Sequence, residues 1–142
     1  MTGPGQILHA TCVSVDGRGL LIMGPSGSGK SSLAIRLLAL GAKLVSDDRT
    51  ALWVEKGHIH ARCPAPVIGR LIEARGVGLL HAPTVEGTVL ALVADLSKTE
   101  QDRLPPFRKV TIMGCELPLV LQVQSDHFPA ALMLHLRCGR QA

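Results

Sequence analysis

The decisive stretch of the chain reads Gly24-Pro25-Ser26-Gly27-Ser28-Gly29-Lys30-Ser31. It matches the spacing GxxxxGK[ST] of a P-loop, in which glycines let successive backbone N–H groups point inward around a phosphate. An apolar run at residues 20–23 precedes the motif, and a segment with helical spacing, residues 30–40, follows it. The loop therefore joins a predicted strand to the positive N-terminal end of a predicted helix, the context in which this motif binds phosphate.

The motif also assigns chemical roles to its last two residues. In P-loops the lysine, here Lys30, reaches the β and γ phosphates of a nucleotide, and the hydroxyl of the next residue, here Ser31, binds Mg²⁺. The sequence therefore predicts a site for ATP or a similar phosphate donor with its Mg²⁺. The predicted binding residues are Gly24, Pro25, Ser26, Gly27, Ser28, Gly29, Lys30, Ser31 and Ser32.

Composition limits the class of protein. The chain has 142 residues, of which 46% are hydrophobic and 18% charged, which indicates one folded domain over residues 1–142. Its apolar runs have the length of strands, well below the roughly 20 residues of a membrane span. The first five residues lack the basic and apolar regions of a secretory signal. We therefore expect a cytoplasmic protein with no membrane segment.

Aromatic residues and cysteines exclude two further kinds of site. Only 2% of the residues are aromatic, which leaves too few rings to stack on bases, so we expect no nucleic-acid partner. The four cysteines form no Cys-x-x-Cys pair and have no histidine at zinc-ligand spacing, so we expect free thiols. The net charge of +4 is mild and fits either a solvated surface or an anionic ligand.

Turn residues and hydrophobic spacing predict a mixed α/β chain. Asp16-Gly17 between apolar runs is a hairpin signal, and the helix over residues 30–40 is expected to end at Gly41. A second helix is predicted over residues 67–75, and residues 129–137 fit a helix or a strand equally well. The other predicted strands are at residues 7–15, 44–46 and 88–95, and a loop is predicted at 97–107. Two more hairpins are predicted, one from residues 50–54 and 58–62 around Glu55-Lys56-Gly57, and one from residues 109–113 and 116–124 around Gly114.

Two aspartates follow the strand that is predicted after the P-loop helix. In a parallel α/β unit this strand ends at the same edge as the strand before the P-loop, so Asp47 and Asp48 would reach the phosphate site. One carboxylate could take a proton from an attacking hydroxyl, and the other could hold Mg²⁺ through water. Asp95, at the end of another predicted strand, competes for the Mg²⁺ role, and the residues alone favour it. An Asx turn that ends the strand is the alternative for the pair.

Five sequence elements resemble, in the same order, the catalytic domain of the HPr kinase/phosphorylase family. The most specific is residues 71–78, which resembles the family signature Leu-Glu-x-Arg-Gly-x-Gly. The others are His9, the P-loop with Gly17-Arg18-Gly19 before it, the Asp-Asp-Arg segment at residues 47–49, and Asp102-Arg103-Leu104. Together these elements span residues 7–125.

The resemblance implies a fold and an activity. The fold is a P-loop domain with a mixed sheet, related to phosphoenolpyruvate carboxykinase, and the assembly is a hexamer. The activity is that of a serine kinase of an HPr-type phosphocarrier protein, which uses ATP or pyrophosphate and can also run backwards by phosphorolysis. In such an enzyme the carrier protein and the phosphate donor are the two partners.

The resemblance also assigns roles to individual residues. Asp47 accepts the proton of the serine hydroxyl, and Lys30 and His9 contact the transferred phosphate. Arg103 neutralises charge in the transition state. Mg²⁺ binds to Ser31 and Glu73, and Asp48 is the carboxylate that the predicted strand adds to this metal site.

The chain departs from the family pattern at both ends. The P-loop begins at Gly24, without the N-terminal domain of the family, and Ser125-Asp126-His127 stands where the family has a Gly-Arg-Asn turn. The resemblance therefore implies a short form that consists of the catalytic domain alone. A regulatory module that binds nucleotide and transfers little or nothing is the alternative function. Asp47, Glu73 and Arg103 favour the kinase, and a small-molecule kinase is less favoured because no lid with clustered arginines is evident.

Overall fold

A computed structural model of the chain describes residues 5–65 and 71–142. The first elements are β1 (Gln6–Leu8), β2 (Thr11–Val15), β3 (Arg18–Met23) and α1 (Lys30–Ala39). They are followed by β4 (Lys43–Ser46), β5 (Thr50–Glu55), β6 (His58–Arg62), β7 (Leu71–Ala74), β8 (Gly78–His81) and β9 (Gly87–Thr99). The last elements are β10 (Arg108–Ile112), β11 (Cys115–Gln122) and α2 (Phe128–Cys138). The mixed α/β class predicted from the sequence is confirmed.

Two-residue turns set the registers of three hairpins. Asp16 and Gly17, between β2 and β3, have φ angles of 52° and 80°, the left-handed pair that a type I′ turn requires. Lys56-Gly57 repeats this pattern between β5 and β6, and Met113-Gly114 repeats it between β10 and β11. The three hairpins predicted from the sequence are therefore confirmed.

The main sheet is mixed, and its strand directions bring several chain ends together. Its path runs β1-β5-β6-β9-β3-β2-β4, and β11, paired with β10, lies against the later part of β9. Strand β3 is parallel to β9, whereas β2 is antiparallel to both β3 and β4. Consequently β3, β4 and β9 all end at one edge of the sheet, and β2 begins there. We call this edge the P-loop edge.

Aliphatic side chains cover both faces of the sheet. Helices α1 and α2 pack on one face, and β5, β6, β10 and β11 contribute to the core on the other. The cluster under the helices includes Leu20, Ile22, Leu37, Leu92 and Leu136, and the second cluster includes Leu21, Leu52, Ile59 and Val93. Because successive residues of a strand point to opposite faces, β3 is buried on both sides, and this explains its continuous apolar run.

The helix predicted over residues 67–75 is wrong wherever the structure describes it. Residues 67–70 lie outside the described residues, but Leu71–Ala74 form β7, which pairs with β8 in a two-stranded sheet. Ile72 is buried in the cluster under α1, and Glu73 is exposed, which is the alternation of a strand. Periodicity could not reveal this because a four-residue strand contains too few apolar positions to distinguish a period of 2 from 3.6.

Two later segments add to this comparison: one strand is longer than predicted, and a segment that fitted either a helix or a strand is a helix. Strand β9 continues to Thr99, four residues beyond the predicted end at Asp95, so the predicted loop begins at residue 100. Residues 129–137, which fitted a helix or a strand, lie in α2. There Leu132, Met133 and Leu136 are buried, the spacing of one helical face, and Pro129 occupies the first turn, where proline is tolerated.

The cysteines and the helices agree with the expectations from composition. All four cysteines are free, with Cys12 buried and Cys138 exposed. Burial raises the pKa of the Cys12 thiol far above its ordinary value, so this thiol stays protonated and unreactive. Neither α1 nor α2 has the length and apolar composition needed to cross a membrane.

Gly19 marks a close contact between β3 and β9. A Cβ at this position would lie 2.5 Å from Thr88 Cγ2 and 3.0 Å from the carbonyl oxygen of Val89. We expect Gly19→Ala to lower the free energy of unfolding by roughly 1–3 kcal/mol, the usual cost of overpacking, as measured by urea denaturation.

Thr88→Ser supplies the control for this prediction. It removes the methyl group that a Cβ at Gly19 would meet and keeps the hydroxyl, which lies 2.9 Å from Ser14 Oγ. Gly19→Ala should therefore cost less in the Thr88→Ser background than in the natural sequence. If the two losses in the free energy of unfolding were strictly additive, the Thr88 methyl group would not be the reason that alanine is disfavoured at position 19.

Candidate functional site

The phosphate-binding motif forms a tight loop between β3 and α1. Gly24 has a φ of 150°, and a Cβ there would lie 2.5 Å from Ser28 Oγ. The Ser28 N–H donates to the carbonyl oxygen of Pro25 at 3.0 Å and closes the turn. Gly29, with a φ of 100°, is the residue before α1. Glycine is required at these two positions because a side chain would be strained at both and would collide at the first.

Lys30 lies inside the loop that precedes it. Its side chain is 9% exposed, and its Nζ donates to the carbonyl oxygens of Gly24 at 2.7 Å and Pro25 at 3.1 Å. A lysine ammonium has three N–H donors. Two of them hold the loop in shape, and the third remains to contact a phosphate oxygen.

Asp47 is the carboxylate that the structure brings to the P-loop. Its Oδ1 accepts hydrogen bonds from Ser31 Oγ at 2.8 Å and from Thr11 Oγ1 at 3.1 Å. Asp47 directly follows β4, which ends at the P-loop edge, and Ser31 lies in the first turn of α1. Asp47 therefore lies beside the P-loop, although β2 stands between β4 and β3 in the sheet.

Thr11 is a site residue that the sequence analysis missed. It is the first residue of β2, is 0% exposed, and also accepts a hydrogen bond from the Asp48 N–H at 3.4 Å. Its hydroxyl therefore connects both aspartates to the sheet. The sequence did contain a signal for Thr11. The two-residue turn at Asp16-Gly17 fixes the hairpin register, and this register pairs Thr11 with Ile22, one residue before the end of β3.

Asp48 and Asp95 have different surroundings. Asp48 is exposed and has a φ of 68°, a left-handed conformation that aspartate tolerates in turns. Asp95 pairs with Met23 in the parallel register of β9 and β3, so it also lies near the P-loop edge. Its Oδ1 accepts hydrogen bonds from the N–H of Ser97 at 2.9 Å and from its Oγ at 2.6 Å. Asp95 is thus occupied by a local turn, whereas Asp47 contacts the P-loop.

The remaining predicted site residues are His9, Glu73 and Arg103, and all three are exposed. His9 lies in the bend between β1 and β2, two residues before Thr11. Glu73 is an exposed residue of β7, a strand that packs against α1. Arg103 lies exposed in the loop after β9. Across residues 5–65 and 71–142, no three His, Cys, Asp or Glu side chains form a cluster that could hold a metal ion.

The loop that carries Arg103 is held by an ion pair between its two ends and by contacts with Arg140. Arg108 donates to both carboxylate oxygens of Glu100, at 2.8 and 2.9 Å, and closes the segment between β9 and β10. Hydrogen bonding to Arg108 is the main reason that the pKa of Glu100 falls to about 2. Arg140 lies over the Phe107 ring, 4.2 Å from its centroid, and donates to the carbonyl oxygen of Pro105. Segments near the C-terminus therefore hold the Arg103 loop in place.

Comparison with known proteins identifies relatives of this arrangement. A family model, the HPr Serine kinase C-terminal domain, matches residues 3–106. The HPr kinase/phosphorylase of Cupriavidus metallidurans is 38% identical over 147 residues, which cover 94% of this chain and 45% of that protein. The protein of the same name from Limosilactobacillus reuteri is 33% identical over 92 residues, covering 65% of this chain and 29% of that protein. The chain spans about half the length, or less, of the curated relatives it matches.

A solved structure gives the same relationship at the level of the fold. The structure of the Hpr(Ser) kinase/phosphatase from Coxiella burnetii superposes with a TM-score of 0.75 and 25% sequence identity. The match covers 93% of this chain and 94% of that one. The fold and the relatives together confirm the resemblance that the sequence motifs carried. Residues 107–142, which include β10, β11 and α2, lie outside the family model.

The Glu100–Arg108 pair should make stability depend on pH in the acid range. The folded-state pKa of Glu100 is about 2, below its ordinary value of 4.5. The pair therefore stabilises the fold fully above pH 4.5, and this stabilisation is lost as the pH falls toward 2. We expect Glu100→Gln to be less stable than the natural protein at pH 7, and the difference to shrink between pH 4.5 and 2. Urea denaturation along this pH series measures it.

A matched control uses a carboxylate that has no such partner among residues 5–65 and 71–142. Glu86→Gln changes an exposed glutamate on the segment before β9 and should leave the pH dependence of unfolding unaltered. A Glu100→Gln difference that stays constant down to pH 2 would contradict the ion pair as its source.

Proposed function

Because the chain belongs to the family of HPr serine kinase C-terminal domains, we propose that it transfers a phosphoryl group from ATP or pyrophosphate to a serine hydroxyl of an HPr-type phosphocarrier protein. One observation carries the proposal. The Asp47 carboxylate is hydrogen-bonded, at 2.8 Å, to the hydroxyl of the P-loop residue Ser31. A potential proton acceptor thus lies beside a phosphate-binding loop, as transfer to a hydroxyl requires.

The phosphate donor would bind at the start of α1. The first N–H groups of a helix have no carbonyl partner in a preceding turn, so the amides of Lys30, Ser31 and Ser32 are available to phosphate oxygens. The helix end adds a partial positive charge, and the third N–H donor of Lys30 adds a full one. This combination favours the β and γ phosphates of a nucleotide or the two phosphates of pyrophosphate.

Asp47 would act as the general base. Both of its hydrogen bonds, from Ser31 and Thr11, end on Oδ1, which leaves Oδ2 to accept the proton of the attacking serine hydroxyl. The two hydroxyls fix the carboxylate in one orientation, so little reorganisation accompanies the proton transfer. In phosphorolysis the same oxygen would return the proton to the serine.

The donors beside Asp47 fit a magnesium ion. Hydroxyl and carboxylate oxygens are the ligands that Mg²⁺ prefers, and the ion commonly uses one or two protein groups with substrate phosphates and water. We propose that Ser31 and Asp48 hold it, with Glu73 from β7 as the third group. Bound there, Mg²⁺ would neutralise negative charge on the phosphate oxygens.

Two further residues would contact the transferred group. His9, in the bend that precedes β2, is suited to a hydrogen bond with the transferred phosphate, and Arg103 would contribute a positive charge from the loop after β9. A hexameric assembly and a cytoplasmic location accompany this function in our proposal. Light scattering at micromolar concentration measures the assembly, and a monomeric mass would contradict the hexamer.

The function is tested by transfer to a purified carrier. The chain is incubated with Mg²⁺, labelled ATP and the HPr-type carriers of the same organism, and mass spectrometry maps phosphoserine on the carrier. A carrier with its acceptor serine changed to alanine is the control. Nucleotide binding without any transfer would favour the alternative, a regulatory nucleotide sensor.

Paired substitutions distinguish Asp47 from Asp95. Asparagine keeps an oxygen that accepts the bonds from Ser31 and Thr11, but it cannot take a proton. We therefore expect Asp47→Asn to slow phosphoryl transfer by about 10²–10⁴-fold, the usual contribution of a general base, with little change in nucleotide affinity. Single-turnover transfer and isothermal calorimetry measure the two effects.

Asp95→Asn is the matched control, since it preserves the acceptor for the Ser97 N–H and hydroxyl. It should leave transfer within about tenfold of the natural rate, a change of no more than about 1.4 kcal/mol in the barrier. Loss of transfer in Asp95→Asn with activity retained in Asp47→Asn would exchange the two assignments and overturn the mechanism.

A further inference from the structure

Arg103 lies between two points at which the loop after β9 is anchored. On its N-terminal side, the Asp102 N–H donates to Oε2 of Glu100, the glutamate of the ion pair at the start of the loop, at 3.3 Å. On its C-terminal side, Arg140 donates to the carbonyl oxygen of Pro105. The backbone is therefore held one residue before Arg103 and two residues after it.

Two prolines make the second anchor effective. Arg140 contacts the first residue of the pair Pro105-Pro106. A proline has a fixed φ angle, and it restricts the residue before it to extended conformations. Leu104 is the only residue between Arg103 and this pair, so the chain from Arg103 to the anchored carbonyl group has few conformations. The position of Pro105 therefore constrains the position of the Arg103 backbone.

The end of α2 directs Arg140 to this loop. The Gly139 N–H donates to the carbonyl oxygen of His135 at 3.0 Å, and Gly139 has a φ of 85°. A positive φ at this point ends a helix and turns the chain away from it, and glycine adopts this conformation without strain. Arg140 then lies over the Phe107 ring, 4.2 Å from its centroid. Its guanidinium group thus has two partners on the same loop, a carbonyl oxygen and an aromatic face.

The side chain of Arg103 takes no part in these contacts. It is exposed, and its guanidinium group has no hydrogen-bond or ion-pair partner among residues 5–65 and 71–142. The backbone of Arg103 is thus held while its charged group remains available to a ligand. An arginine that stabilises a transferred phosphoryl group needs both properties, because a charge is most effective when its position is set before the reaction.

We propose that Arg140 is a positioning residue for phosphoryl transfer, which acts through Pro105 and Phe107 to hold Arg103 at the transferred phosphate. This inference rests on the proposed function, in which Arg103 contributes a positive charge. Phe107 and Arg140 both lie outside residues 3–106, the part of the chain that the family model matches. The contact therefore adds to the site a determinant that the family match does not include.

Arg140→Ala tests the proposal in single-turnover transfer to the carrier protein. Loss of the guanidinium group frees Pro105 and allows Arg103 to move, and a displacement of about 1 Å can slow a reaction by about 10²-fold. We expect the transfer rate at saturating ATP and carrier to fall by about 10–10²-fold. The dissociation constant of ATP, measured by isothermal calorimetry, should stay unchanged.

The same substitution in an Arg103→Ala background separates positioning from a general structural role. If Arg140 acts only through Arg103, Arg140→Ala causes no further loss of transfer once Arg103 is alanine, because the two changes are then fully coupled. A role in folding, or a direct contact of Arg140 with a substrate, would lower the rate by the same factor in both backgrounds.

Two further variants keep the test decisive. Arg140→Lys retains a cation that can lie over the Phe107 ring and donate to a carbonyl oxygen, so it should recover part of the rate that Arg140→Ala loses. Phe107→Leu removes the aromatic face and keeps an apolar side chain, and it should give a smaller loss of the same kind. If circular dichroism shows that Arg140→Ala is unfolded, Phe107→Leu replaces it in both backgrounds.

Arg137→Ala is the matched control. It removes another exposed arginine near the end of α2, one that pairs with Asp16 at 3.4 Å rather than with the Arg103 loop. The change in net charge is the same as in Arg140→Ala. The transfer rate should therefore stay at its natural value.

The possible outcomes separate this inference from the proposed function. A loss of transfer in Arg140→Ala that disappears in the Arg103→Ala background supports the positioning role. No loss, or an equal loss in both backgrounds, overturns it and leaves the transfer reaction of the natural protein standing. A natural rate in Arg103→Ala would also overturn it, since Arg140 could then not act through Arg103. A natural protein that phosphorylates no carrier would overturn the proposed function itself, and the positioning role with it.

Discussion

The register of the β2–β3 hairpin is the constraint on which the site depends. The turn at Asp16-Gly17 leaves no freedom in the pairing, and it places Thr11 across from Ile22, just before the phosphate loop begins. Strand β4 then pairs with the other side of β2, with Ser46 beside Cys12. Asp47 emerges next to Thr11 for this reason. A slip of one residue would move every side chain of β2 to the other face and separate the hydroxyl from the carboxylate.

The hydroxyls around Asp47 show how a small fold prepares a reactive group. Thr11 is buried, so its hydroxyl needs a partner, and the Asp47 carboxylate and the Asp48 N–H satisfy it. Ser31 adds a second donor from a different element, the helix that begins the phosphate site. The carboxylate is therefore held by a strand and a helix whose relative position is fixed by the core. Precision at the site comes from packing rather than from a flexible loop.

Much of this arrangement could be predicted from local signals. The P-loop, the helix at residue 30 and the three hairpins follow from turn chemistry and spacing, which depend on a few neighbouring residues. Asp47 could be placed at the P-loop edge because that inference needs only the direction of β4, not its position in the sheet. In the structure β4 has the expected direction, parallel to β3, but β2 lies between the two strands.

The features that escaped prediction depend on contacts distant in sequence. Strand β7 is short, and only its pairing with β8 and the packing of Ile72 show that it is not helical. A cavity beside α1 has walls that contain Ser32, Leu96 and Gln124, which no local pattern relates. Arg140 reaches the loop of Arg103 from the end of α2, a contact that spans more than thirty residues of intervening chain. Assignments of this kind require the assembled fold.

The two carbonyl contacts of Lys30 have a consequence for the kinetics of anion capture. The ammonium is already buried and ordered by Gly24 and Pro25, so the rotamer freedom of a lysine, worth roughly 1.5–2 kcal/mol, is lost during folding rather than during binding. The loop therefore offers an incoming anion an ammonium group that is already ordered. The association rates of anions should therefore be governed by diffusion and charge. A well-fitted phosphate ester and a simple ion should differ mainly in their dissociation rates.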